Sequence, residues 1–208
     1  RDTQGRTVMD ERVEASAQER GSRLNGRLRL PYVQGHAVAL GWNAERTRRA
    51  ESRVQRQSSP TGRPTLDLDE AFDATVLDGA VFVQDEWDPG PGFSLYLGLR
   101  HALLNTRTEG AGVATVSQRA AVTSPVLQVL AKPADGEQLR AALSRSYRAP
   151  RTRDLVPRRW VAHDNTPTTP DFQGNPALRP ELAWGLDLAW EHHLPRRGGT
   201  LSVAAGWR

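Results

Sequence analysis

Apolar and polar residues alternate along this chain with a period of two, most cleanly near its end. Leu182, Trp184, Leu186, Leu188, Trp190, His192 and Leu194 occupy every second position, with Ala183, Gly185, Asp187, Ala189, Glu191 and His193 between them. Successive side chains of a strand point to opposite faces, so this run predicts a strand with one apolar face and one small or polar face. After Pro195–Gly199 the pattern resumes in Leu201, Val203, Ala205 and Trp207, against Thr200, Ser202, Ala204, Gly206 and Arg208. Two such runs about a short Pro/Gly-rich turn predict a hairpin. The twelve steps from Leu182 to Leu194, at ~3.3 Å each, span roughly 40 Å. Tilted by ~40° that is about 30 Å of height, enough to cross an apolar band of ~25 Å. Soluble strands usually hold only ~5–6 residues, so the length favours a membrane-crossing strand.

Earlier hairpins repeat the pattern. Ser22–Leu30 places Leu24, Leu28 and Leu30 on one face with Gly26, and turns through Pro31–Gly35 into His36–Thr47, where Val38, Leu40, Trp42 and Ala44 alternate. Ala80–Asp88 turns through a Pro/Gly-rich segment into Phe93–Asn105, in which Phe93, Leu95, Leu97 and Leu99 share a face. Asp85 falls on the apolar face with Val81, Val83 and Trp87, a position expected only at the headgroup rim. Thr123–Lys132 turns through Pro133–Gly136 into Glu137–Arg148, with Leu139, Ala141, Leu143 and Tyr147 on one side. These runs predict eight strands, with Val8–Ala17 a candidate ninth. The links alternate: short near 31–35, 88–92, 133–136 and 195–199, and long and polar near 49–77, 106–122 and 149–179. Short periplasmic turns against long extracellular loops describe a partial, all-β, antiparallel transmembrane β-barrel. Long structureless loops are uncommon inside compact soluble domains.

Composition refines this picture. A mean hydropathy of -0.59 and 38% hydrophobic residues look soluble, yet barrel strands keep average hydropathy low while one face meets lipid. No run of 18 apolar residues exists, which excludes a transmembrane helix. With no cysteine, disulfides and thiolate metal sites are excluded. The net charge is +4 and Lys132 is the sole lysine. The arginines are dispersed and nearly balanced by 24 acidic residues, with neither a basic helical stripe nor a nucleic-acid motif. A polar lumen and solvated links account for them, and no nucleic acid is expected as partner. The first residues, RDTQGRTVMDERVEAS, carry no apolar signal region and no initiator Met, and the chain stops within an alternating run. Both ends read as cut, so a piece of a longer chain is expected.

Candidate chemistry is sparse. His192 and His193 adjoin Glu191, but consecutive strand side chains diverge and do not easily share an ion. His163 with Asp164 lacks further ligands, so neither a metal nor a cofactor is expected. Ser144 and Ser146 lack a base-orienting pattern, and no Gly-rich phosphate loop precedes a helix. The carboxylate pairs Asp67/Asp69 and Asp85/Glu86 sit in link or rim contexts, so no enzyme is expected. The link 151–173 concentrates Arg151, Arg153, Arg158 and Arg159 beside Trp160. Such groups could hold an anionic or aromatic chelate through charge-assisted hydrogen bonds and stacking. Alternatively these arginines are solvated, bridging lipopolysaccharide phosphates or nearby acids.

Three ordered blocks resemble the barrel of TonB-dependent receptors. SRSYRAPRTRDLVPR resembles the family's aromatic-Arg-Ala-Pro strand end, here Tyr147, Arg148 and Pro150. GNPALRPELAWGLDLAWEHHLP resembles its Gly-Asn-Pro-x-Leu-x-Pro-Glu stretch, here Asn175, Pro176, Pro180 and Glu181. VFVQDEW followed by FSLYLGLRHALLN resembles a third hairpin. Together they cover roughly residues 76–208; residues 1–75 fit by hairpin pattern alone. The resemblance implies an outer-membrane receptor of a Gram-negative bacterium. It would take up a ferric siderophore or similar metal chelate or nutrient, powered by the TonB system and gated by an internal plug. Nothing in these residues resembles the plug or the TonB-contacting segment. In such a barrel Tyr147 would end its strand on the apolar face, in an interfacial girdle. Arg148 and Glu181 would face the lumen and lie near each other at the extracellular rim. Pro150, Pro176 and Pro180 would remove backbone donors where strands end. Leu182, Trp184, Leu186, Leu188, Trp190, Leu201, Val203 and Trp207 would face lipid, with outer-membrane lipid and lipopolysaccharide as partners. A porin-like or enzyme-bearing barrel without energised transport, and a soluble basic β-protein, are the alternatives. The isolated piece would expose two strand edges and a lipid-facing band, and is expected to need detergent.

Overall fold

The computed structural model describes residues 10–31, 33–58, 64–111, 113–157, 159–160, 166–168, 170, 172–194 and 198–208. In chain order the elements are β1 (Asp10–Arg29), β2 (His36–Ser58), β3 (Pro64–Gly90), β4 (Phe93–Gly110), β5 (Val113–Ala131), β6 (Glu137–Arg148), the single helical turn α1 (Thr152–Leu155), β7 (Arg159–Trp160), β8 (Phe172–Gln173), β9 (Glu181–Leu194) and β10 (Gly199–Trp207). One eight-stranded sheet runs β1-β2-β3-β4-β5-β6-β9-β10, and β7 pairs with β8 apart from it. Every neighbouring pair is antiparallel.

Register assigns each side chain to a face. Leu28 is opposite Leu40, Leu40 opposite Val83, Val83 opposite Leu99, Leu127 opposite Leu143, and Leu143 opposite Leu186. These residues, with Leu24, Trp42, Leu97, Leu182, Trp184, Leu188, Leu201, Val203 and Trp207, are exposed. We call this the outer face. On β3 its apolar stretch runs the ten steps from Leu77 to Trp87, which gives about 25 Å of height at ~40° of tilt. Trp190 lies on the same face, partly covered, its indole donating to Glu137 at 2.5 Å. Asp85 is also there, at the short-turn end, 2.7 Å from His36 Nδ1, and His36 stacks on Trp87. A carboxylate with a hydrogen-bonding partner at that edge avoids desolvation deep in the apolar band.

The strands are longer than the sequence pattern indicates. Residues 10–17 belong to the start of β1 rather than to a ninth strand. Among the described residues, the links 49–77 and 106–122 are mostly strand: β2 reaches Ser58, β3 starts at Pro64, β4 reaches Gly110 and β5 starts at Val113. In these extensions the outer face is largely polar, and on β3 the apolar side chains Phe72, Ala74 and Val76 lie on the inner face instead. Polar cross-strand pairs occupy the outer face there, among them Arg48 with Asp73 at 2.6 Å, Ser16 with Ser52 at 2.8 Å and Arg56 with Asp67. The described residues of the third link, 149–179, hold only α1 and the short β7–β8 pair as regular structure.

The core lies on the inner face. Phe72, Ala74 and Val76 of β3 bury Leu155 and Val156, with Leu178 against them. Ala80, Ala102, Leu104 and Val122 form a second cluster beneath Tyr147 and Ala149. The segment Ala149–Val156 therefore crosses the inner side of the sheet as a strap. Burying a side chain such as Leu155, 0% exposed, contributes ~1.5–3 kcal/mol.

Candidate functional site

The inner face near the long-link end carries a linked set of charged groups, Glu19, Arg49, Glu51 and Asp78 among them. β6 leaves β5 after the pair Val126–Ser144 but stays paired with β9 as far as Arg148–Glu181. Released on one side, the end of β6 turns inward. The Tyr147 hydroxyl donates to the Asp78 carboxylate, at 3.1 and 3.0 Å, and accepts from Arg100 at 3.5 Å. Two strands lie between β6 and β3, so this contact requires the sheet to curl.

This corrects the expectation for Tyr147. Its ring does not join an outer aromatic girdle but covers the small-residue cluster inside. Burial of the ring with a carboxylate acceptor for its hydroxyl prevails over an interfacial position.

A second network pins the strap. Thr152 Oγ1 donates to Glu19 at 2.7 Å, Arg49 reaches the same carboxylate at 3.4 Å, and Arg49 Nε donates to Glu51 at 2.5 Å. Glu51 is 5% exposed; a buried carboxylate is tolerated when a guanidinium compensates it. Burial alone would lower the pKa of Arg49, but Glu51 and Glu19 outweigh it and raise the pKa.

The remaining motif residues hold the link in place. Arg148 Nε lies 3.6 Å from Glu181 Oε2, and with both side chains exposed such a pair contributes ~0–1 kcal/mol. Asn175 closes a turn by accepting from the Ala177 amide at 2.9 Å, and its own amide donates to the Asp154 carbonyl at 2.7 Å. That bond ties the Gly-Asn-Pro segment to α1. Gly174 is buried beside the Val156 carbonyl, which a Cβ would strike.

Of the candidate ligand contacts, Arg151 and Arg153 line a cleft of about 420 Å³ shared with Glu19, Glu45, Thr47, Arg49 and Asp78. Arg153 is exposed and pairs with Asp154 at 3.2 Å. Arg158 lies outside the described residues, as does the Trp160 side chain, although the Trp160 backbone pairs with Phe172. Pro150 lines the same cleft, and Pro180 lines a neighbouring one with Leu178 and Leu182. His192 bonds Glu137 at 2.6 Å on the outer face, away from its neighbour Glu191. Among the described residues, no three His, Cys, Asp or Glu side chains form a metal-binding group. Sequence reasoning missed the inward groups Glu19, Arg49, Glu51 and Asp78. Its one usable signal was charge on the strand face opposite the leucines.

An antiparallel sheet with an exposed apolar band outside and a charged, strap-covered face inside is the wall of a transmembrane β-barrel. The chain belongs to the TonB dependent receptor-like, beta-barrel family, whose model matches residues 2–208. That family comprises outer-membrane receptors and transporters of Gram-negative bacteria. No curated protein matches the sequence. The fold is similar to that of the ferric citrate transporter FecA in its unliganded form, at 12% identity, with a TM-score of 0.57, over 97% of this chain and 28% of that one. It is likewise similar to the ferric yersiniabactin uptake receptor FyuA from Yersinia pestis, at 14% identity, TM-score 0.57, over 93% of this chain and 29% of that one. The alcaligin outer membrane receptor FauA from Bordetella pertussis compares at 15% identity, TM-score 0.56, over 94% and 29%. The chain thus spans less than a third of each of these structures.

Proposed function

We propose that the parent protein imports a ferric siderophore, or a similar anionic metal chelate, across the outer membrane. The observation that carries this reading is the family membership of residues 2–208. Support for the iron chelate comes from the solved structures of like fold, whose names describe ferric citrate, ferric yersiniabactin and alcaligin receptors. In this reading the barrel wall is one part of the machine. The plug and the TonB-contacting segment belong to parts of the parent protein outside these residues. Arg151 and Arg153, which line the cleft, would meet an anionic chelate by charge-assisted hydrogen bonds. Arg158 and Trp160 are proposed to join them.

Uptake of radiolabelled iron by cells with the receptor gene deleted, then restored, tests the reading. Iron delivered as a chelate should enter only with the receptor and with a functional TonB system. Uptake that persists without TonB would replace this reading with passive permeation. In the restored strain, replacing Arg151 and Arg153 by Gln should raise the half-saturating chelate concentration. Leaving the maximal rate little changed would mark a binding role.

A further inference from the structure

One strand of the wall has an open main-chain edge. β5 runs on from its last ladder pair with β6, Val126–Ser144, as far as Val113. Over that stretch it pairs with β4 alone among the described residues. Pro125 accounts for the parting. The Thr123 carbonyl accepts from Arg145 Nη1 of β6 at 3.1 Å, so at Thr123, and by alternation at Pro125, the main chain points towards β6. Proline has no N–H to offer there. The same alternation turns the N–H and C=O groups of Ser117, Arg119 and Ala121 to the open side, where no main-chain partner meets them among the described residues. Ala121 is opposite Leu103, the last large apolar residue on the outer face of β4. The open edge therefore lies beyond the apolar band, at the long-link end.

Sheet edges are normally blunted by proline, lysine or a bulge, or covered by another element. From Ala114 to Ser124 there is neither proline nor lysine, and the one register irregularity with β4 lies before Val116. Across the gap, Leu178 and Leu182 face Leu104, Thr106 and Val122 around a space of about 260 Å³. Pro180, between those two leucines, also lacks a donor, and no main-chain bond joins this segment to β5 among the described residues. Thr106 is 5% exposed and its Oγ1 has no partner, a state that burial penalises until something bonds it. Arg119 and Arg179 border the same space; both are exposed, and neither has a hydrogen-bond or ion-pair partner among the described residues.

We propose that this edge is a docking site for an extended, acidic segment of a partner protein, which adds to β5 as a strand and seats a tyrosine beside Thr106. Main-chain bonds to Ser117, Arg119 and Ala121 supply affinity, and the side-chain space supplies selectivity. The tyrosine ring fills the apolar space while its hydroxyl gives Thr106 Oγ1 the bond it lacks. Carboxylates on the segment meet Arg119 and Arg179. A second copy of this chain would instead set arginine against arginine. The long links of a barrel with this topology are extracellular, so the partner is a protein at the cell surface. The site is built from the wall's own residues and is independent of which nutrient is imported.

The test uses the full receptor in detergent micelles and a short fluorescent peptide of alternating threonine and valine, with a central tyrosine and an aspartate at each end. Fluorescence anisotropy measures affinity, and heat-dependent gel mobility checks folding. The inward tyrosine turns its own N–H away from β5, while its two neighbours in the peptide turn theirs towards it. N-methylation of those neighbours should weaken binding about tenfold or more, and N-methylation of the tyrosine should leave it within about twofold. Ser117→Pro removes a donor from the open side without touching the β4 ladder, and should also weaken binding about tenfold. Thr106→Val should weaken the tyrosine peptide and leave its phenylalanine analogue unchanged. Arg119→Gln/Arg179→Gln should weaken the aspartate peptide and leave its asparagine analogue unchanged. Wild type that fails to bind the peptide, equal binding of the two N-methylated forms, or unchanged binding by Ser117→Pro would overturn the proposal.

Discussion

Placing Leu99 on the lipid side makes a quantitative claim. Its outer-face neighbours on β4 run from Phe93 to Leu103, and Leu99 is 48% exposed in the isolated sheet. It lies four steps below Leu103, or about 10 Å inside the band edge at ~40° of tilt. An arginine near the bilayer midplane costs ~2–4 kcal/mol, falling to ~0–1 kcal/mol near the interface. Leu99→Arg should therefore weaken folding by roughly 30- to 700-fold, whereas Leu103→Arg should cost little. Gln128→Arg supplies the control for the other face, since Gln128 is exposed opposite Tyr96 on the inner wall. Reversible denaturant unfolding of the receptor in lipid vesicles, followed by tryptophan fluorescence, measures all three. A penalty for Gln128→Arg equal to that for Leu99→Arg would refute the face assignment. A flat profile between Leu99 and Leu103 would refute the depth assignment.

Other consequences concern the inner wall. Leu155→Ala should cost ~2–5 kcal/mol and release the strap, read as faster proteolytic cleavage within residues 149–179. Tyr147→Phe should cost ~1–2 kcal/mol, because a hydrogen bond to a charged acceptor is lost from a half-buried site. Gly41→Ala would drive a methyl group into the Phe82 ring and the Gly26 carbonyl, and should cost ~1–3 kcal/mol.

What the sequence made legible follows from which physical force acts where. Between Leu182 and Leu194 one face meets hydrocarbon and the other does not, so alternation in hydropathy records the pleat directly. The eight strands and their short turns were readable for that reason, as were the family blocks around Tyr147 and Glu181. Above the band water bathes the outer face, where Arg48 and Asp73 satisfy each other with charge. On β2 such a stretch has no hydropathic period, and on β3 the period survives only on the inner face, in Phe72, Ala74 and Val76, so 49–77 does not read as the lipid-facing strand that the leucine runs predict. Tyr147 fails differently: parity alone put it outside, but parity holds only while both neighbours constrain the strand. Once β5 separates after Val126, β6 is free to roll. The choice between headgroup and interior then falls to a tertiary contact, Asp78, that is 69 residues away in sequence. The candidate cleft depends on that same roll, because it carries Ala149–Val156 across the inner face. A Tyr147→Phe variant that leaves strap proteolysis unchanged would show that Leu155 and the Thr152–Glu19 bond hold the strap without it.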